Sequence, residues 1–289
     1  MLRGVLAAAI MAVLSAAAAT QSRQDEPAAA VADRLRSYLV DLEPRLSALV
    51  AEERFEQAIT QVSEGGTTQL PVRRMLVSEI GFVRVADDHA WLGHRRVRSI
   101  DGRPVRADAP GLGDLFTRTG AEQLVAARRI SDENSRHNLG HPRSTNVPTL
   151  PLDLLHPRHA SAYSVSGGNR ETRGGVRVAR LDFTEGLRGA VVAYDSRGFV
   201  RTAVRAWVEV ETGALQRAEV TLVPPVTARE NHVVRVDYEM NDRFGVRVPV
   251  RLSERFWAGG TGEGKATYRN YRRFETGARV VPAAGVSLL

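Results

Sequence analysis

The chain contains no cysteine. That absence excludes disulfide staples, thiolate metal sites and a lipid-modified N-terminal cysteine together, and leaves stability to a packed core. Lysine is nearly missing as well: Lys265 is the only one, so the cationic surface is built from arginine. Arginine keeps its charge in every environment and makes forked contacts with carboxylate or phosphate, although a codon preference for arginine produces the same composition. Beyond the N-terminus no apolar run approaches the roughly 20 residues that span a bilayer. No P-loop, dinucleotide-binding glycine pattern, H-E-x-x-H helix or G-x-S-x-G elbow occurs, which removes the nucleotide-binding folds, the zinc proteases and the serine hydrolases that carry them.

What is present is enough for a core. The 289 residues are 43% hydrophobic and 25% charged, a globular composition. The opening "MLRGVLAAAIMAVLSAAAAT" has a basic start at Arg3, an apolar run and the small pair Ala17 and Ala19, the pattern of a secretory signal peptide over residues 1–19. Residues 20–30 read as a polar linker and residues 31–289 as a single domain. The formal charge is +7 in full and one less once Arg3 is removed. On an exported chain that charge meets an anionic membrane surface or acidic polymer, not nucleic acid.

Periodicity divides the domain. From Val31 to about Ile59 the text places Leu35, Leu39, Leu42, Leu46 and Leu49 at three- and four-residue spacing, which predicts an amphipathic helix bent or restarted at Pro44. "RRMLVSEIGFVRV" and "AWLGHRRVRSI" predict two strands joined through residues 86–89. A helical insert follows at about 109–157, with a short helix at "GLGDLFTRTG" and a longer one stopping at Leu139 and Gly140. Beyond Ser161 the chain alternates: Val204, Ala206, Val208 and Val210 lie in phase, then Val234, Val236, Tyr238 and Met240. In "KATYRNYRRF" strict alternation puts Tyr268 and Phe274 on one face and Tyr271 on the other. The fold class is therefore α+β: a curled antiparallel sheet around a helical plug, with the N-terminal and inserted helices as the available lids for its apolar face.

The strand pair ending in "SIDGRPV", the insert with "DENSRHNLG" and "RSTNVPTLPLDLL", and the closing "VRVPVRLSERF" and "GKATYRNYRRF" resemble uncharacterised secreted bacterial proteins of the lipoprotein-localisation-factor superfamily. That resemblance implies a half-barrel with helices over an apolar cavity, and binding of acyl chains or lipoproteins rather than catalysis, with no cofactor.

Two patterns compete for the function. "SRHNLGHPRSTNVPTLPLDLLHPRHA" packs His137, His141, His156 and His159 into 26 residues. His137 and His141 are four apart, but Gly140 and Pro142 break the helix that would bring their imidazoles to one side. Capping of helix ends is the simpler expectation for His137 and His156, and a histidine-based metallohydrolase would need at least three of the four to converge. The apolar faces point instead to an exported carrier or sensor of an apolar ligand, an acyl chain, lipid or lipoprotein, lined by Val204, Val208, Val234, Val236, Tyr238, Val248 and Val250, with Leu39 and Leu42 from the first helix. The same residues would equally fill a closed core. The alternative is an envelope scaffold recognising protein or anionic polymer through an arginine-rich face.

Overall fold

The computed structural model describes residues 27–47, 49–61, 69–85, 90–106, 115, 118, 120–186, 192–195, 198–223 and 232–274. The signal-peptide reading, the expected turns at 65–68 and 86–89, and most of the short helix at 111–120 lie outside them. Helix α1 (Ala28–Leu46) begins three residues earlier than the spacing predicts. Strands β1 (Leu49–Thr60), β2 (Val72–Val85), β3 (Ala90–Ile100) and β4 (Arg103–Pro104) follow. The insert supplies α2 (Gly120–Ser135), α3 (Leu150–Leu155) and a 3-10 turn (Pro157–Ala162). The remaining strands are β5 (Tyr163–Arg173), β6 (Val176–Glu185), β7 (Val192–Asp195), β8 (Gly198–Glu209), β9 (Leu215–Val223), β10 (His232–Asn241), β11 (Val246–Trp257) and β12 (Thr261–Arg273).

The strands make one antiparallel sheet in the order β4-β3-β2-β1-β12-β11-β10-β9-β8-β6-β5, with β7 beside β8. Its two end strands do not pair with each other, so the sheet is unclosed. Its curvature follows from one contact pattern. Helix α1 touches β2, β11, β6 and β5, and β2 and β5 stand eight strand intervals apart. On a flat sheet that is about 38 Å at the usual spacing, several times the width of a helix. The sheet must wrap around α1, and it does so because Val31, Leu35, Leu39, Leu42 and Leu46 form a buried stripe at helical spacing. At the β8–β9 turn Gly213 has φ +71°, and a Cβ there would stand 2.4 Å from the backbone of Arg34. Only glycine allows this approach of turn and helix.

The expected helix through residue 59 is corrected here. α1 stops at Leu46, where Ser47 returns both its N–H and its hydroxyl to the Glu43 carbonyl at 3.0 and 2.8 Å. Pro44, in the last turn, has no N–H to offer Val40. From Leu49 the period is two: Ala51, Glu53, Phe55, Gln57 and Ile59 are buried, while Glu52, Arg54 and Glu56 are exposed. Leu49 satisfied the helical spacing by coincidence. Likewise α2 ends at Ser135, short of the expected stop at Leu139.

Two bulges alter the expected faces. Asn270 sits at φ 53°, and the β1–β12 register shifts between Val50 and Glu52. The extra residue turns Tyr271 to the buried side with Tyr268, where its ring stacks on Phe82. The face expected for Tyr271 was thus wrong. A second shift, at Asp237/Tyr238 against Arg251/Pro249, leaves Val250 unpaired and half-buried. Met240, expected inward, is 54% exposed near the end of β10.

A polar keystone inside the half-barrel

Cross-strand register sets the concave face in rows. One row runs Gln57, Gly264, Glu254, Val234, Val220, Val204 and Phe183 across seven neighbouring strands. It begins polar on β1 and β11 and becomes wholly apolar on β10, β9, β8 and β6. The apolar end lies under α1 and α3, whose Leu152, Leu154 and Leu155 join the main core. The polar end lies under residues 136–149, the histidine-rich segment of the insert.

That segment is a buried keystone. Glu53 of β1, fully buried, receives two bonds from Arg95 of β3, Nε to Oε2 at 2.5 Å and Nη2 to Oε1 at 2.9 Å. Arg95 also donates to the side chain and carbonyl of Asn146 at 3.1 and 2.8 Å. Burial works against its charge, and the Glu53 carboxylate outweighs burial and raises the Arg95 pKa. Glu254 of β11 accepts from Arg143 Nη2 at 2.9 Å, from Asn146 Nδ2 at 3.3 Å, and faces His232 Nε2 at 3.1 Å. Burial alone would raise the Glu254 carboxyl, but His232 and Arg143 bring it down to about 2. Arg143 lies 3.5 Å over the centre of the Phe256 ring and donates to the Leu139 and His141 carbonyls. Asn138 accepts from Gln57 and Asn146 and donates to the Ser135 and Arg143 carbonyls. Leu139 adds an apolar foot against Ile59 and Phe256.

The sheet makes room with glycine. A Cβ on Gly264 would stand 2.6 Å from Glu254 Cγ and 2.7 Å from Phe55 Cε2. On the neighbouring strands Phe55 and Glu254 therefore fill the space a β12 side chain would take.

The histidines do not converge. His141 meets Phe256 edge-on, His156 ends α3 and lies 3.6 Å from Glu43, and His159 stacks its contacts on Arg158 and Asp153. Among the described residues no three His, Cys, Asp or Glu side chains are grouped to hold a metal. The polar contacts of this segment fasten it to the sheet.

The candidate lining residues lie together. Leu39, Leu42, Val204, Val208, Val234, Val236, Tyr238 and Val248 are all buried in one contiguous core with α1, and Val250 packs at its margin. The Tyr238 hydroxyl, its pKa raised by burial, donates to the Pro148 carbonyl at 2.8 Å, so one of these residues directly holds the insert. On the convex face the arginines stand in cross-strand chains with carboxylates. Arg205 pairs with Asp182 and approaches Glu219, which takes Arg235, and Arg217 and Arg251 share Asp237. A depression of about 420 Å³ on this face carries both signs, with Arg235, Arg255 and Lys265 beside Glu219 and Glu263.

The geometry defines an unclosed antiparallel half-barrel with a helix in its hollow and a polar keystone across one end. The chain matches no protein-family model and no curated protein. Solved structures similar to it include a LolA superfamily protein from Nitrosomonas europaea, 10% identical over 87% of this chain and 95% of that one, TM-score 0.35. A DUF1329 family protein from Desulfovibrio piger is 13% identical over 86% and 93%, TM-score 0.35. An outer membrane lipoprotein-sorting protein domain from Vibrio parahaemolyticus is 9% identical over 83% and 90%, TM-score 0.40. At these identities and TM-scores the likenesses assign this chain no family and no residue a role. Among the described residues no helix is long and apolar enough to cross a membrane.

Proposed function

We propose that the chain is an exported, non-catalytic binding protein of the cell envelope that carries or senses an apolar ligand, an acyl chain, lipid or lipoprotein, inside the half-barrel. Residues 136–155 serve as its removable lid. The observation that supports this reading is how the lid is fastened: by one buried ion pair, Arg143 to Glu254, and by amide hydrogen bonds at one end, over an otherwise apolar hollow. Well-packed apolar residues in place of a buried ion pair are often neutral or stabilising by about 1–4 kcal/mol. A fastening that gives up that stability in exchange for one defined seat suits an element that closes in a single register and leaves as a unit.

When the lid lifts, Val204, Val208, Val234, Val236, Tyr238 and Val248, with Leu39 and Leu42 of α1, become the wall of the hollow, and Val250 its rim. Each methylene transferred to that wall contributes about 0.8 kcal/mol, so a long acyl chain offsets the loss of α3 contacts. The test is native mass spectrometry of the protein purified from the envelope fraction, followed by organic extraction. The expected result is a chain cleaved near Ala19 carrying one aliphatic molecule. Protein that holds no aliphatic molecule, and takes up no fluorescent aliphatic probe with an anionic, neutral or cationic head, would sink the carrier reading.

A further inference from the structure

We propose that Glu254, Phe256 and His232 form a receptor for a cationic head group, held here by the chain's own Arg143, and that the ligand of the half-barrel is an amphiphile with one positive charge on an aliphatic chain. This rests on the carrier reading and specifies its ligand.

The inference comes from which charges belong to the sheet and which to the lid. Arg95 and Glu53 both stand on sheet strands and keep each other when the lid leaves. Glu254 also stands on the sheet, but Arg143 and Asn146, two of its three bonded partners, belong to the lid. Lifting the lid therefore takes one positive charge out of the hollow and leaves the carboxylate behind, where an uncompensated buried charge is costly. An anionic chain, such as a fatty acid, would add a second negative charge. A neutral chain would leave the first with His232 as its only remaining partner. A guanidinium or ammonium head group replaces what Arg143 withdraws, with the Phe256 ring beneath it as it is now beneath Arg143.

The row through Glu254 then sets the direction of the tail. Its next members are Val234, Val220 and Val204, each at most 2% exposed. A head group at Glu254 thus points its chain straight into the apolar end of the hollow.

The experiment separates the site from the carrier reading. The starting variant is Arg143→Ala. Millimolar ethylguanidinium is expected to raise its melting temperature by about 3 °C and to leave Arg143→Ala/Glu254→Gln unchanged. Calorimetric titrations then compare dodecylguanidinium, laurate and dodecyl maltoside, each below its micelle concentration. Dodecylguanidinium is expected to bind Arg143→Ala at least tenfold more tightly than the unmodified protein does, and more tightly than laurate, with the preference abolished by Glu254→Gln. Should Arg143→Ala not fold, Asn138→Ala loosens the lid without touching Glu254 and is expected to show the same preference. Laurate or the maltoside binding as well as dodecylguanidinium would overturn the head-group assignment and leave the carrier standing. Rescue by ethylguanidinium with no binding of any dodecyl probe would overturn the amphiphile and the carrier together, leaving a bare cation site.

Discussion

Arg95 and Glu53 form a forked ion pair although β3 and β1, which carry them, are not neighbours. The pair reaches across β2, where Ser78 stands opposite Glu53 and Ile80 opposite Arg95. The two side chains thus lock three strands at once, and they do so where water is excluded.

Removing one partner leaves the other charged and buried. Glu53→Leu is expected to destabilise the protein by about 3–5 kcal/mol. The double substitution Glu53→Leu/Arg95→Met should cost less than either single change, because it leaves no buried charge and only the Asn146 oxygens to be solvated. Urea unfolding of the four proteins of the cycle measures this. A loss in the double variant equal to the sum of the two single losses would mean that the pair is uncoupled.

Acid sensitivity should appear in two separate windows. His94 is buried, neither ring nitrogen has a hydrogen-bond partner, and burial lowers its pKa to about 4. Its neutral form is favoured in the fold, so stability is full above the unfolded value near 6.5 and falls as pH drops from there to about 4. Glu254 is held at about 2 against an ordinary 4.5. Its contribution is full above 4.5 and is lost between about 4.5 and 2. Each window is worth of the order of 3 kcal/mol. His94→Leu is expected to shrink the upper window, to which His159, also lowered to about 4 by burial, contributes as well, and Glu254→Gln to flatten the lower, in stability measured from pH 8 to 2.

Within residues 136–149, amides should matter more than imidazoles. Asn138→Ala removes the partners of Gln57, Asn146 and two carbonyls, and each stranded buried group costs about 1–3 kcal/mol. His137→Asn/His141→Asn, at half-buried positions, should change stability by less than about 1 kcal/mol. Thermal unfolding that ranked the histidine pair as the costlier change would contradict the keystone.

The apolar wall is tested by placing a charge in it. Val236 is fully buried between Ala218 and Leu252 on the neighbouring strands, and Val236→Asp should cost several kcal/mol. Val250→Asp, at the half-buried bulge, should cost far less. Similar melting temperatures for the two variants would mean that Val236 is not sealed from water.

The sheet beyond Ser161 was legible because Val204, Ala206 and Val208, and again Val234, Val236 and Tyr238, alternate without interruption and are buried as that pattern requires. β1 was hidden by Leu46 and Leu49, whose three-residue step continued the leucine spacing of α1 past its true end. The keystone left a signal that alternation alone does not weigh. Glu53 and Gln57 share the parity of Phe55 and Ile59, and Glu254 that of Leu252 and Phe256, so each polar residue falls in phase with a buried face. Their partners Arg95, Arg143 and Asn146 come from distant segments, and no local pattern pairs them. Tyr271 was misplaced because a single left-handed residue, Asn270, reverses the parity, and asparagine gives only weak notice of that.

The seam between β1 and β12 has a consequence for the order of events in the cell. Glu53 and Tyr268 face each other in the middle of the sheet, which closes a loop of about 200 residues. Until Thr261–Arg273 has emerged, β1 has a neighbour on one side only, and the sheet stays in two unjoined parts. Long-range antiparallel pairing of this kind is slow to form. The two parts are therefore joined only by Thr261–Arg273, the last strand among the described residues.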